Sequence, residues 1–282
     1  MASGDPTLEA FDQWTLSIGN GTAENDVKVP EEMIMEIIPN TKSEPWHEAE
    51  SMKKFCQKIF PDMEVNISTP GWLEGRTILA PTNKEVDCIN NMMQDWLPGD
   101  GIKLCSADSL ENPNDSFRFN TEYLNTLRPN GFPEHRIILK PGLPLMLLRN
   151  LNARQGLCNG TRLIFDKCID NKLLQCRIVG SDRIVLIPRI TFIPKLGEYS
   201  FQWQRRQFPV RPAFVTTINK SQGQTLKMVG VWLRGQVFSH GQLYVASSRV
   251  SLPSNLKFAV MRQSGKDQLS VENIVFKEVL LP

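Results

Sequence analysis

AFVTTINKSQGQT at residues 213–225 and HGQLYVASSRV at residues 240–250 decide how this 282-residue chain is to be understood. Phe214 to Ile218 predicts a strand that delivers Thr216 and Thr217 at its carboxyl end, the edge where ligands of open α/β sheets bind. Lys220, Ser221, Gln222, Gly223 and Gln224 follow. They supply a cation, a hydroxyl, amides and a backbone that can be approached closely, at a helix entrance whose dipole favours anions. Gly241 to Val250 predicts a helix with Leu243 and Ala246 turned inward. Arg249 at its end either reaches across a cleft to a phosphoryl group or complements the negative end of its own helix. No GxxxxGK[ST] phosphate loop occurs in the 282 residues, so the pattern predicts half of a phosphate-handling site.

Outward from this pair the pattern is α/β. Met228 to Leu233 and Leu256 to Val260 predict further strands. RTILAPTNKEVDCINNMMQDWLPG (76–99) predicts a buried strand over Thr77 to Ala80, a turn, and a helix with Val86, Ile89, Met93 and Trp96 on one face, stopped at Pro98-Gly99. Strand-turn-helix units of this kind build parallel sheets. Thr82 or Asn83 would cap that helix, and the same hydroxyl and amide suit a phosphate at its positive end. From Pro45, the spacing of Trp46, Ala49, Met52, Phe55 and Ile59 predicts an amphipathic helix with these residues in the core. Residues 5–40 alternate short apolar pieces with loop signals such as IGNG (18–21).

The texture changes over 141–195, where LPLMLLRN, GTRLIFDKCI, LLQCRIVG, DRIVLIP and ITFIP are separated by turns. This spacing predicts a small antiparallel barrel inserted in the α/β domain. The expected boundaries are 1–140 for the first part of that domain, 141–207 for the barrel and 208–282 for the remainder. FQWQRRQFPVRP (201–212) interleaves Phe201, Trp203 and Phe208 with Arg205, Arg206 and Arg211. It serves either as a surface on which single-stranded nucleic acid stacks or as a linker whose aromatics pack in the core. GLCNGTR (156–162) is open in the same way, between a hairpin and a strand-contacting loop.

Composition is that of a globular protein with 41% hydrophobic residues. Charge is uneven: residues 1–75 hold 14 acidic and 5 basic side chains and the remainder 16 and 27, which permits contact with a phosphate backbone. Six scattered cysteines without a CxxC pair favour reduced thiols in an intracellular compartment, and three scattered histidines argue against a structural metal site. MASGDPTLEAF carries Asp and Glu without an apolar core and is not expected to be a signal or transit peptide. Leu143 to Leu148, the longest apolar run, is broken by Pro144 and too short to span a bilayer.

INKSQGQTL and HGQLYVASSRV, together with HRIILKPGLPLMLLRNLNARQGLCNGTRLIF (135–165) and TILAPTNKEVDCIN (77–90), resemble the Pif-type superfamily-one DNA helicases, especially those of Helitron transposons. The resemblance runs in order over nearly the whole chain. It implies a RecA-like second motor domain with an inserted Src-homology-type barrel, and ATP-driven 5′-to-3′ translocation along single-stranded DNA. It also implies a nuclear location and settings such as DNA repair, recombination and telomere maintenance. TTINKSQGQT corresponds to the family's motif V and YVASSR to motif VI, which makes Arg249 the arginine finger and Lys220, Gln222, Gly223 and Gln224 nucleotide contacts. Thr82, Asn83, Thr216, Thr217, Lys220 and Ser221 become DNA contacts, beside the Arg205 and Arg206 taken from the aromatic stretch. Ser247 departs from the leucine common in motif VI. The family's phosphate loop, magnesium-binding acidic pair and sensor glutamine precede the stretch that LEAFDQWTLSIGNG resembles. ATP and Mg2+ are therefore expected only with the first motor domain, and this chain alone is expected not to hydrolyse ATP. The alternatives are a standalone single-stranded nucleic-acid-binding module and an inert helicase remnant.

Overall fold

The strand Met228–Leu233 (MVGVWL) has no polar side chain and is buried on both faces. Such a strand belongs in the middle of a sheet covered on both sides. A computed structural model, which describes residues 6–67, 69, 71–181, 183–263, 265, 268–276 and 278, places it there. Five strands pair in the order Val215–Thr217, Arg76–Ala80, Met228–Leu233, Leu256–Met261, Ile34–Ile37, and every ladder is parallel.

Strand parity assigns the two covering layers. Val229, Val231, Leu233, Phe258 and Val260 pack with Phe11 and Ile18 of the helix Pro6–Gly19 and with Leu243 and Ala246 of the helix Gln242–Ser247. Residues of the other parity meet the helix His47–Ile59. There the Phe55 ring centroid lies 5.8 Å from that of Trp232, and a methyl on Gly230 would sit 2.7 Å from Ile59 Cγ1. Only a glycine at 230 lets this helix approach so closely. Each fully buried Phe or Ile contributes about 1.5–3 kcal/mol relative to exposure.

The predicted helices form with adjustments. In His47–Ile59, Met52, Phe55 and Ile59 are buried as their spacing implies, but Trp46 is 56% exposed and Ala49 also faces solvent. The helix Asn83–Asp95 buries Val86, Ile89 and Met93, while Trp96 lies past its end, half-buried. Thr82 and Glu85 cap it reciprocally: the Glu85 N–H donates to Thr82 Oγ1 at 3.3 Å, and the Thr82 hydroxyl donates to Glu85 Oε2 at 2.7 Å. Asn90 covers the open side of the edge strand, since Val215 N–H donates to its Oδ1 and its Nδ2 donates to Val215 O, both at 3.0 Å. The helix Pro6–Gly19 was not expected from the sequence. Its buried residues are only Phe11, Thr15 and Ile18, a stripe too sparse to stand out from loop signals.

The chain divides into two compact units, one of Met1–Met93 with Phe214–Pro282 and one of Gln94–Ala213. The second takes in the expected insert at 141–207 and extends past it on both sides. Its largest sheet is antiparallel, in the order Ile184–Pro188, Leu173–Ile178, Arg162–Ile169, Pro144–Leu147, Val210–Pro212. Asp170 and Asn171, both at positive φ, make the tight turn between two of these strands. Ile190–Phe192 leaves this series and joins Trp203–Gln207 and Ala107–Leu110 in a three-stranded antiparallel sheet.

That smaller sheet contains the unit's principal buried polar contact. Arg205 and Asp108 are both 0% exposed and 2.7 Å apart. The guanidinium uses all five N–H groups: on the Asp108 carboxylate and on the carbonyls of Leu124, Leu127 and Pro133. Ser106 Oγ donates to Asp108 Oδ1 at 2.6 Å, so His135 Nδ1, 2.8 Å from the same hydroxyl oxygen, carries the proton of that contact. Removing one member of such a pair leaves a buried charge without its counterion. Asp108→Ala is accordingly expected to lose about 3–5 kcal/mol of stability. Urea unfolding followed by tryptophan fluorescence measures it, and an unchanged midpoint would refute the structural role of the pair.

Candidate phosphate-binding site

Val215–Thr217 ends at the carboxyl edge of the parallel sheet and runs directly into a 3-10 turn, Ile218–Ser221. The strand is one residue shorter at each end than Phe214 to Ile218, because Ile218 is drawn into the turn, where it is fully buried. Gly223 sits at φ +79°, a conformation that side chains with a Cβ rarely adopt. This turn therefore holds its shape through a glycine and through bonds from elsewhere.

Arg249 supplies those bonds. Its Nη1 donates to the carbonyl oxygens of Gln224 at 2.9 Å and Ser221 at 3.3 Å. Its Nε donates to Val245 O at 2.7 Å and its Nη2 to Ser248 Oγ at 2.7 Å. The backbone repeats the link, as the Leu226 N–H donates to Arg249 O at 2.8 Å. Every side-chain partner is neutral, so the positive charge keeps its outward field. Partial burial lowers the guanidinium pKa from its ordinary value, with Tyr244 acting in the opposite sense. Helix Gln242–Ser247 is shorter than the predicted Gly241 to Val250, and Arg249 lies two residues beyond its end.

Arg249 lines a cleft of about 550 Å³ together with Asn219, Gln222, His240, Gln242 and Tyr244 and the end of the helix Pro6–Gly19. No acidic residue is among its described lining residues. Tyr244 is seated against Gly19, where an added Cβ would come within 2.7 Å of the ring. Gln242 was not anticipated, although the Gly-Gln that opens HGQLYVASSRV was visible as a helix start. Its role depends on burial.

The other expected residues divide. Gln222 reaches the cleft beside Arg249. Lys220 and Gly223 are exposed on the same turn, and Gln224, half-buried, donates through Nε2 to Lys220 O at 3.2 Å. Ser221 departs from its expected DNA contact: it is 0% exposed and its hydroxyl donates to Ile218 O at 2.7 Å. Thr216 is 5% exposed and Thr217 half-buried. Thr82 lines a separate hollow of about 340 Å³ beyond the carboxyl ends of the sheet, with Lys84 and Arg234. Asn83 is exposed at the start of the same helix. The motif VI departure, Ser247, is fully buried with its hydroxyl donating to Leu243 O at 2.9 Å, which satisfies it within its own helix.

The aromatic stretch is corrected. Trp203–Gln207 is a strand whose residues alternate buried and exposed. Adjacent side chains in a strand point to opposite faces, so Arg205 is the buried partner of Asp108 and only Arg206 faces solvent. Phe201 and Trp203 pack with Leu124, Phe119 and Tyr199, and the Phe201 and Phe119 rings stack at 3.9 Å. Phe208 is buried beneath Arg189, whose guanidinium carbon lies 4.4 Å from the ring centroid. These aromatics are core, and the alternation in Trp-Gln-Arg-Arg-Gln was the signal for it.

Residues 122–166, within the second unit, match the family model described as DNA helicase Pif1, 2B domain. The human ATP-dependent DNA helicase PIF1 is 35% identical over 176 residues, which cover 61% of this chain and 25% of the human protein. In sequence this chain is similar to Pif1-type DNA helicases. The Pif1 of Bdellovibrio bacteriovorus is 33% identical over 150 residues, covering 52% of this chain and 33% of that protein. Among solved structures, Pif1 helicase from Candida albicans aligns over 91% of this chain and 54% of its own, at 21% identity and a TM-score of 0.56. Bacteroides Pif1 in complex with ADP-AlF3 and ssDNA aligns over 92% of this chain and 50% of its own, at 17% identity and the same TM-score. At those identities the likeness is one of fold, an α/β helicase fold. The chain spans about a quarter of the human protein and about half of the solved chains.

Arg249→Lys retains the charge but cannot reach several acceptors in one plane. Amide hydrogen exchange at Gln222 to Leu226 is expected to accelerate roughly tenfold, the equivalent of about 1.4 kcal/mol of lost local stability. Unaltered exchange there would show that the turn does not depend on the guanidinium.

Proposed function

We propose that this chain supplies the second motor domain of an ATP-dependent 5′-to-3′ DNA helicase, with Arg249 as its arginine finger. One observation carries the reading. Arg249, partnered only by neutral groups, lines a cleft with no acidic residue among its described lining and also holds the turn that follows the edge strand. A guanidinium so placed can take a transferring phosphoryl oxygen in exchange for carbonyls it already holds. Gln222, with Lys220, Gly223 and Gln224 on the same turn, forms the second-domain wall of the nucleotide cleft. In the first unit, Thr82, Asn83, Thr217 and Lys220 are contacts for single-stranded DNA, and Thr216, 5% exposed, supports the strand behind them; Arg206 is a separate contact in the second unit. The antiparallel strands between 141 and 207 correspond to the inserted barrel.

Turnover also requires a Lys and a Ser or Thr for the phosphates and an Asp for magnesium. GxxxxGK[ST] is absent from these 282 residues, so ATP and Mg2+ are handled jointly with a first motor domain and this polypeptide alone does not hydrolyse ATP. Adding a separately expressed first motor domain of a Pif1-type helicase, with single-stranded DNA, is expected to give ATPase activity. Arg249→Ala should lower it about a thousandfold. Turnover by the chain alone, or undiminished turnover in the variant, would overturn the assignment.

The relatives' names carry DNA action, and one neighbouring structure holds ssDNA. Arg206→Ala is expected to weaken binding of a labelled single-stranded oligonucleotide and to reduce its log–log salt slope by about 0.7, the contribution of one phosphate contact. Fluorescence anisotropy at several salt concentrations measures it. An identical slope would remove Arg206 from the interface.

A further inference from the structure

His240 stands on the wall of the cleft that holds Arg249, and two contacts fix its ring. The Phe276 N–H donates to Nδ1 at 3.0 Å. The imidazole also lies nearly parallel to the Phe276 ring, with centroids 5.5 Å apart and 11° between the planes. The backbone repeats the link, as the Gly241 N–H donates to Ile274 O at 2.9 Å. An imidazole nitrogen that accepts a hydrogen bond carries no proton, so the proton of this ring is on Nε2. Among the described residues Nε2 has no hydrogen-bond partner, and the half-buried ring leaves it in contact with solvent. His240 therefore offers a donor of fixed direction that the protein itself does not use.

The surroundings select the acceptor. Arg249 is the cation of the same wall, Asn219 and Gln222 add amides, and no acidic residue is among the described lining residues. Hydrogen bonds to ionised acceptors are roughly twice as strong as neutral ones, so donors grouped around a cation without a counterion favour an anion. A cleft of about 550 Å³ has room for more than a single small ion. A chain of phosphates, with several ionised oxygens in a row, can occupy the guanidinium and the imidazole donor together.

We propose that His240 is a phosphate-contacting residue of the nucleotide cleft, its Nε2–H donating to a phosphoryl oxygen of the ligand that Arg249 meets. This rests on the reading of the cleft as a nucleotide wall. It also brings the segment from Ile274 to Phe276 into the site, because the Phe276 N–H sets the tautomer and so decides that Nε2 is the donor.

The test uses the full 282-residue chain with 15N in its arginine side chains and in the rings of its three histidines, His47, His135 and His240. It is titrated to millimolar concentrations with ATP, with inorganic triphosphate and with a single-stranded oligonucleotide. ATP and triphosphate are each expected to shift His240 Nε2 together with Arg249 Nε, with His47 and His135 unmoved. His240→Asn leaves a carbonyl oxygen near the place of Nδ1 for the Phe276 N–H, but no donor as far out as Nε2. It is expected to weaken ATP and triphosphate binding about tenfold, at an unchanged melting temperature. His240→Gln carries its amide out to the place of Nε2. It is expected to bind within about threefold of the unaltered chain while amide exchange at Phe276 accelerates. A residue that only secures the segment would give the reverse order, with Asn binding normally and Gln weakened, and that result overturns the assignment. So does a shift of Arg249 without His240, which leaves the cleft reading standing. If ATP moves neither signal, or if only the oligonucleotide moves them, the nucleotide-wall reading fails and this inference falls with it.

Discussion

A single guanidinium, that of Arg249, bonds to two carbonyl oxygens of one turn and to two oxygens of its own segment. The residues from Lys220 to Gln224 leave a short edge strand and pass through a glycine at positive φ, and the side-chain bonds from Ser221 to Ile218 O and from Gln224 to Lys220 O are local to the turn and do not tie it to the rest of the fold. Because the acceptors are carbonyls, the turn is held without neutralising the cation. A carboxylate in their place would hold Arg249 equally well and cancel the field that makes the cleft suited to anions. The same contact ties the proposed nucleotide wall to the turn proposed to meet DNA, so a ligand that draws Arg249 away also alters that turn.

This arrangement depends on the sheet behind it. Met228–Leu233 brings one side-chain parity to the layer of helices Pro6–Gly19 and Gln242–Ser247 and the other to helix His47–Ile59. Leu243 and Ala246 lock the short helix onto the sheet, which sets where Arg249 emerges. A helix of six residues has little stability of its own. Its position therefore comes from burial, and Gln242 is buried by the same packing.

The Gln94–Ala213 unit illustrates the limit of composition as a guide. Aromatic residues interleaved with arginines have the makeup of a nucleic-acid surface, but strand periodicity sends Trp203, Arg205 and Gln207 inward together. Arg205 is tolerated inside because Asp108 and three carbonyls satisfy its charge and all its donors. Its neighbour Arg206, one residue along, faces water. The expectation that both arginines act alike took the segment as a nucleic-acid surface, whereas its aromatics pack in the core and the alternation in Trp-Gln-Arg-Arg-Gln is that of a strand.

By itself the sequence determined the α/β class, the strands Arg76–Ala80, Met228–Leu233 and Leu256–Met261 to within a residue, and the family resemblance. It did so because buried parallel strands are continuous apolar runs and the motif residues are contiguous. It also offered Thr82, beside Asn83, as the helix cap, since capping is a local interaction; the structure adds Glu85 as the reciprocal partner. Tertiary structure alone decided that Ser221 turns inward, which groups meet the buried Arg205, and that Arg249 clamps the turn. Each of those outcomes is set by groups far along the chain or by packing on the sheet. Asp108 lies 97 residues from Arg205 and the Gln224 carbonyl 25 residues from Arg249, and no local pattern encodes which face such a partner will meet.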